Sequence, residues 1–336
     1  MEEARPIARC IDIHTHMVPA HFPARPGGAE LPWPEMRHRP GEAEVMISGK
    51  PYRTVSDACW AAPKRLAAMA ESGVSVQVVS PMPELLSYWL PAREAAVLCA
   101  HLNDAIARLV ADGAGRFMGL GAVTLQDPAA AARQLETIMR VPELRGVEIG
   151  THANGTAIGD PRFEPFFAAA EALGAAIFVH PLRPAGMERL VGPPALEQIV
   201  AFPCETSLAI ASLMTGGMLE RHPRLKLVFS HGGGAFGLAL PRLQHGWTVL
   251  PALRAQMPQP PTEYARRLSF DTLVYDACSL RFLIEQFGAD RMMVGSDFPF
   301  AIAEREPARF VHGLALDEAA AQAIAWENAE RFFAKG

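Results

Sequence analysis

The sequence predicts an α/β fold, a (β/α)8 TIM barrel with a small lid or hairpin insertion after its first strand. Three observations predict it. Eight short runs rich in Val, Ile, Leu and Met recur along the chain, the pattern of parallel strands covered on both faces. Amphipathic stretches of helical period alternate with them, which is the βα succession of a barrel. Four of the chain's 11 histidines fall at the ends of those runs, where a barrel gathers its active site.

The elements follow in order. "RCIDIH" opens the first strand, which runs on to His16. A helix at 63–72 precedes the strand "VSVQVVS" (74–80), and a longer helix at 91–112 follows it. "RFMGLGAV" (116–123) leads to a helix near 127–140, and "RGVEIGT" (145–151) to one near 161–173. "AAIFVH" (175–180) comes next, then a helix near 204–221 that runs into "RHPRLKLVFSH" (221–231). "LSFDTL" (268–273) and "RMMVGSD" (291–297) are the last two strands. A doubly wound open sheet is the competing arrangement, but no GxGxxG follows the first strand as a nucleotide-binding sheet would want. Residues 17–57 break the alternation. They are rich in Pro and Gly, no helix fits them, and "AEVMISGKPYRTV" (43–55) reads as a hairpin around Gly49. Long irregular loops in a compact domain are usually functional, so 17–57 is expected to form a lid inside a single domain spanning 1–336.

Bulk properties narrow the partners. The chain has 336 residues, is 50% hydrophobic and carries a net charge of -5. That length buries about three quarters of the unfolded surface without staples. The negative balance argues against nucleic acid or an anionic membrane. No apolar run approaches the roughly 20 residues of a membrane helix, and the amino terminus shows no signal pattern. Five well-separated cysteines without a CxxC suit a reducing, cytoplasmic compartment.

The chemistry begins with "HTH". Side chains two apart on a strand share a face, so His14 and His16 would sit together, and a metal explains that pairing better than a core does. His180 in "FVHP" and Asp297 in "VGSDFP" end two other strands. Three imidazoles and a carboxylate suit zinc, with iron, manganese or cobalt also compatible. His231 in "VFSHGGG" fits either a ligand or a base beside the ion. Individually these residues have plainer explanations: a strand-end histidine is often structural, and Asp297 alone would cap a helix. The joint pattern favours the metal. His152, just past the fourth strand, is at most a supporting residue, and Glu148 in "RGVEIGT" would bridge to a second metal only in principle.

These segments make the sequence recognisable. "IDIHTH", "YRTVSDACW", "SPMPELLSYW", "GTHANG", "FVHP", "FSHGGGAFGLALPRLQHGW" and "VGSDFPF" resemble, in order, the amidohydrolase superfamily. Within it they resemble the branch typified by 2-amino-3-carboxymuconate-6-semialdehyde decarboxylase. The resemblance implies one divalent metal, most often Zn2+, held by His14, His16, His180 and Asp297, with His231 as the acid/base. It implies that Arg53 holds a substrate carboxylate and that Arg242 reaches the neighbouring site of a homodimer. Guanidinium forks suit carboxylates because they hold both oxygens at once. Two family positions differ. A lid lysine before "GEA" is Pro40 here, and a tryptophan before the helix that follows the fifth strand is Gln198.

The expected activity is metal-dependent, non-oxidative decarboxylation of a small carboxylated unsaturated or aromatic-derived acid. A hydrolase or hydratase acting on a lactone, amide or unsaturated acid is the alternative on the same residues. A silent scaffold would have little reason to keep a full ligand set.

Overall fold

The computed structural model describes residues 9–27, 32–47 and 49–335. Residues 1–8, read above as lacking a signal pattern, and Ser48 in the expected hairpin lie outside the described residues. In chain order the strands are β1 (Ile11–Met17), β2 (Pro34–Arg39), β3 (Glu42–Ile47), β4 (Lys50–Ser56), β5 (Val76–Pro81), β6 (Phe117–Gly121) and β7 (Leu144–Gly150). They continue with β8 (His152–Ala153), β9 (Thr156–Ala157), β10 (Ala176–His180), β11 (Lys226–Phe229), β12 (Ser269–Asp271) and β13 (Met292–Met293). Among the described residues an eight-stranded sheet runs β1-β5-β6-β7-β10-β11-β12-β13, with every pair parallel. Ile13 N donates to Val294 O at 2.8 Å and His16 N to Phe298 O at 2.7 Å. Those bonds join the first strand to the chain just past the last and close the ring. The TIM barrel is the observed fold.

Two apolar clusters divide the interior. One, including Val79, Ile149, Ile177, Leu227 and Phe229, packs the outer strand faces against the helices. The other, with Ile11, Ile13, Val78, Leu120, Phe178, Val228 and Met293, fills the lumen, and Trp326 and Phe333 join it. Each fully buried aliphatic or aromatic side chain of this kind is worth about 1.5–3 kcal/mol of transfer free energy. The close approach of β7 to β10 explains one glycine: a Cβ on Gly146 would lie 1.8 Å from Ala176 O.

The register of β1 shifts between Asp12 and Thr15. A bulge of this kind re-aims side chains. Ile11 and Ile13 fill the lumen, and the ring of His14 meets lumen Phe178 at 4.9 Å. Thr15 instead meets buried Arg65, whose guanidinium donates to Thr15 Oγ1 at 3.1 Å and Gln77 Oε1 at 3.0 Å.

The helices begin and end where local chemistry directs. Asp127 and Asp276 cap Pro128–Met139 and Ala277–Phe287 by accepting from backbone N–H groups, as N-caps do. Gly73 ends Ala62–Ser72 in the left-handed region. The helix expected near 204–221 is broken: Phe202–Thr215 stops at Gly216, and left-handed Gly217 starts Met218–Arg221.

Between β1 and the first helix, β2, β3 and β4 form an antiparallel sheet. Strand β2 was not expected, because "PEMRHR" is polar and forms a mostly exposed edge. The continuous helical segment Glu197–Thr215 is long and apolar enough to cross a membrane by length and composition alone, which corrects the expectation that no such stretch exists. The difference is physical: in this barrel its Phe202, Ile210, Leu213 and Met214 are buried.

Candidate metal centre and active site

His14, His16, His180 and Asp297 offer ligand atoms that all lie within 4.8 Å of one another, and all four residues are buried. They come from three distant strand ends, β1, β10 and the segment after β13. The ring nitrogens are already sorted. His14 Nδ1 lies 2.6 Å from Asp271 Oδ2, His16 Nδ1 3.1 Å from Pro81 O, and His180 Nδ1 2.8 Å from Pro181 O. Each Nδ1 has an acceptor, so each Nε2 is the nitrogen left to face a metal, the arrangement that outer partners give metal-bound histidines. His14 Nε2 and His16 Nε2 face each other at 3.1 Å, and Asp297 Oδ1 lies 3.1 Å from His16 Nε2 yet accepts no hydrogen bond. A buried carboxylate oxygen without a partner and three converging ring nitrogens are satisfied together by a cation. The residues fit a divalent metal.

Asp271 was missed in the sequence and organises the site. It is fully buried. Besides His14, it accepts from His231 N at 3.0 Å, Gly232 N at 2.8 Å and Leu273 N at 3.1 Å. One carboxylate thus fixes both a ligand ring and the turn bearing His231. Burial opposes its charge, but the His14 bond, the neighbouring His14 and His231 and the Gly232 N–H together hold its pKa below the usual range. Burial would likewise lower His14, and Asp271 raises it to about 9 before any cation binds. Its signal was faint: one acid in the apolar strand "SFDTL".

His231 sits beside the ligand set, its ring 5.1 Å from that of His180 and 5.3 Å from that of His14. It is outside the four-residue ligand group. Its Nδ1 lies 3.1 Å from Ser230 Oγ. Burial, then the neighbouring His14, pushes its pKa down to about 4, so the ring is neutral at pH 7 and able to take a proton. His231 has φ 56°, and Gly232, Gly233 and Gly234 follow at 61°, 77° and 62°. Four successive left-handed residues explain "HGGG", since only glycine adopts that region freely. Asp297 has φ 66°. Non-glycine residues held there concentrate at functional sites.

A cleft of about 620 Å³ opens over the cluster, lined among others by Arg53, Glu84, His180, Gln198, His231, Asp297 and Phe300. Arg53, on β4, places its guanidinium 4.3 Å from the Phe300 ring centroid. Arg242 lies elsewhere: it is exposed on the helix Phe236–Val249 and does not line this cleft. Pro40 is exposed in the β2–β3 turn. His152 Nε2 is engaged with Arg183 O at 3.0 Å, and His152 lines a separate cavity. Glu148 stands behind His16, 3.6 Å from Nδ1. It is not in the ligand group, and burial raises its pKa well above the usual range. The described residues thus gather one metal centre.

Comparison with known proteins adds relatives to this geometry. A family model described as Amidohydrolase matches residues 11–335. The 2-amino-3-carboxymuconate-6-semialdehyde decarboxylase of Dictyostelium discoideum is 34% identical over 313 residues, covering 90% of this chain and 85% of that one. Among solved structures, 5-carboxyvanillate decarboxylase from Sphingomonas paucimobilis superposes with a TM-score of 0.79 at 26% identity, covering 98% and 100% of the two chains. The apo form of Metarhizium anisopliae IDCase shares the fold with a TM-score of 0.83 at 22% identity, covering 97% of each chain.

Proposed function

The chain belongs to the amidohydrolase family, and from that premise we propose how its site works. It is a metal-dependent, non-oxidative carboxy-lyase of small carboxylated, aromatic-derived acids. The relatives reported above include two decarboxylases, which favours loss of carbon dioxide over hydrolysis or hydration. The observation that carries the reading is a pre-sorted ligand set, three converging imidazoles and an unpartnered Asp297 oxygen, opening with His231 and Arg53 onto one cleft.

His14, His16, His180 and Asp297 would hold one divalent metal. The nitrogen and oxygen donors suit Zn2+ best, with Mn2+, Fe2+ or Co2+ as substitutes. Bound there, the ion would supply positive charge that acidifies water and stabilises developing negative charge. His231, neutral at the start, accepts a proton from water in the cleft and delivers it to the carbon whose bond to the carboxylate breaks. The electron pair of that bond takes the proton, and the carbon dioxide released combines with the hydroxide left by that water as bicarbonate. The Ser230 contact at Nδ1 leaves its other ring nitrogen for that transfer. Arg53 binds a substrate carboxylate, and the apolar wall of Phe202, Leu273 and Phe300 excludes water, which strengthens each charge interaction.

Residues 17–57 would act as the lid that brings Arg53 to the cleft, within a single domain. Arg242, exposed on its own subunit, would complete the neighbouring site of a homodimer. A reducing cytoplasmic location suits five cysteines that are all free. Gln198 lines the cleft and would tune the choice of acid.

The test is carbon dioxide release from metal-loaded enzyme across carboxylated muconate semialdehydes and hydroxybenzoates. Release from at least one acid, without oxygen, is expected. Water addition with the carboxylate retained would overturn the reading.

A further inference from the structure

One fully buried cation close to the metal centre has no task in the chemistry above. Arg65 lies in the first turn of the helix Ala62–Ser72 and shares its buried face with Met69, one turn on. Arginine is almost never fully buried unless paired, yet Arg65 is 0% exposed. Its hydrogen bonds go to uncharged oxygens. Nε donates to Ala58 O at 3.3 Å, Nη1 to Thr15 Oγ1 at 3.1 Å and Gln77 Oε1 at 3.0 Å, and Nη2 to His16 O. Burial pushes its pKa down to about 10, so it is still charged at pH 7. Burying a charge without a counter-charge against it is costly, and packing alone would be served as well by an apolar side chain.

The partners of Arg65 belong to three parts of the site. His16 O is the carbonyl of a proposed metal ligand, and the amide of the same residue donates to Phe298 O at 2.7 Å. The Phe298 ring lies 5.0 Å from the guanidinium, and Phe298 directly follows Asp297. Arg65 thus meets β1 where its register shifts, and it meets the segment that bears the carboxylate of the ligand set. Ala58 sits in the 3-10 turn Asp57–Cys59 that follows β4, the lid strand of Arg53. Further along that strand the lid has a second tie, the Tyr52 hydroxyl donating to Glu84. A planar guanidinium fixes several oxygens at once, where an ammonium is a point charge.

We propose that Arg65 is a positioning residue of the metal centre, its fork holding the His16 backbone and the base of the lid together so that the His16 ring stays convergent with the other donors. The inference rests on the reading of His14, His16, His180 and Asp297 as the metal's ligands. It goes beyond that reading in tying the lid strand of Arg53 to the ligand set. Partners behind the ligands tune metal affinity by fixing ligand geometry, so Arg65 should register in metal binding and not only in folding.

The experiment separates binding from stability. Competition with a chelator gives the Kd for Zn2+ in the natural protein and in variants, and urea unfolding gives the stability of each. Arg65→Met should weaken Zn2+ binding roughly 10- to 100-fold. Arg65→Lys, which keeps the charge without the fork, should weaken it less. Leu120→Ala, destabilised in the lumen, and Tyr52→Phe, released at the lid's second tie, should keep the natural Kd. Hydrogen exchange on metal-free protein gives a second readout. Arg65→Met should quicken exchange at both 57–61 and 296–300, where the amides of Trp60 and Asp297 are bonded, whereas Leu120→Ala should single out neither. If Arg65→Met does not fold, Arg65→Lys decides, and an unchanged Kd there overturns the assignment. An equal loss of affinity in Leu120→Ala or in Tyr52→Phe, or unchanged exchange at both segments in Arg65→Met, also overturns it. A natural protein that takes up no Zn2+ sinks the metal centre and Arg65 with it. Uptake with an unchanged Kd in both Arg65 variants sinks Arg65 alone.

Discussion

Along β10, Phe178 and His180 sit two residues apart on one face, yet they belong to different kinds of interior. Phe178 lies in the lumen layer with Ile11, Ile13, Val78, Leu120 and Val228. His180 lies in the layer above, with His14, His16 and Asp297. The lower layer is made of aliphatic and aromatic side chains whose burial favours folding. The upper layer buries ionisable groups, the histidines held through Nδ1 by assigned partners and Asp297 Oδ1 by none, and desolvation works against their charged forms. The same strands build both, by period-two alternation along β10 and by the register shift of β1 between Asp12 and Thr15. The difference teaches that the barrel's stability is stored below its chemistry, so changes in the two layers should have separable effects.

The largest expected effect comes from the upper layer. His14→Ala or Asp297→Ala should reduce bound metal to background and abolish turnover, as read by elemental analysis and carbon dioxide release. His231→Ala should keep the metal and lower kcat by roughly 10²- to 10⁴-fold, the usual worth of a positioned acid or base. Loss of metal from that variant would make His231 a ligand and redraw the upper layer. Asp271→Asn, one step behind the ligands, should weaken metal affinity by roughly 10- to 100-fold, measured by competition with a chelator. In the lower layer, Leu120→Ala should cost about 2–5 kcal/mol of stability in urea unfolding. Its metal content and its kcat per folded molecule should stay unchanged.

The smallest effect is in pH dependence. His231 is depressed to about 4 by burial and by His14, whereas an unfolded histidine protonates near 6.5. Between those values the unfolded chain binds more protons, so stability falls as pH drops through that window. His14, raised to about 9, has the opposite sign: its contribution is full below about 6.5 and lost as pH rises through 9. In metal-free protein, His231→Gln should flatten the acid side of the urea midpoint curve and leave the alkaline side alone.

Much of this contrast was legible in the sequence. Barrel alternation, the "HTH" pair, "FVHP", "FSHGGG" and "SDFP" are local patterns whose meaning survives without coordinates. What escaped depends on distant partners. Asp271 matters because His14, 257 residues away, turns its ring toward it, and a single acid in a strand announces nothing of that. Nothing in "SPMPELLSYW" singles out Glu84, and only the fold brings Tyr52 and Arg53 beside it. The polar edge strand β2 lacks the alternation that marks a strand and exists because β3 pairs with it.

Anomalous diffraction from crystals of the metal-loaded enzyme tests the central claim most directly. The account predicts one peak, bonded to Nε2 of His14, His16 and His180 and to an oxygen of Asp297, with His231 adjacent but unbonded. Density at another place, or none within this cluster after reconstitution, would contradict it.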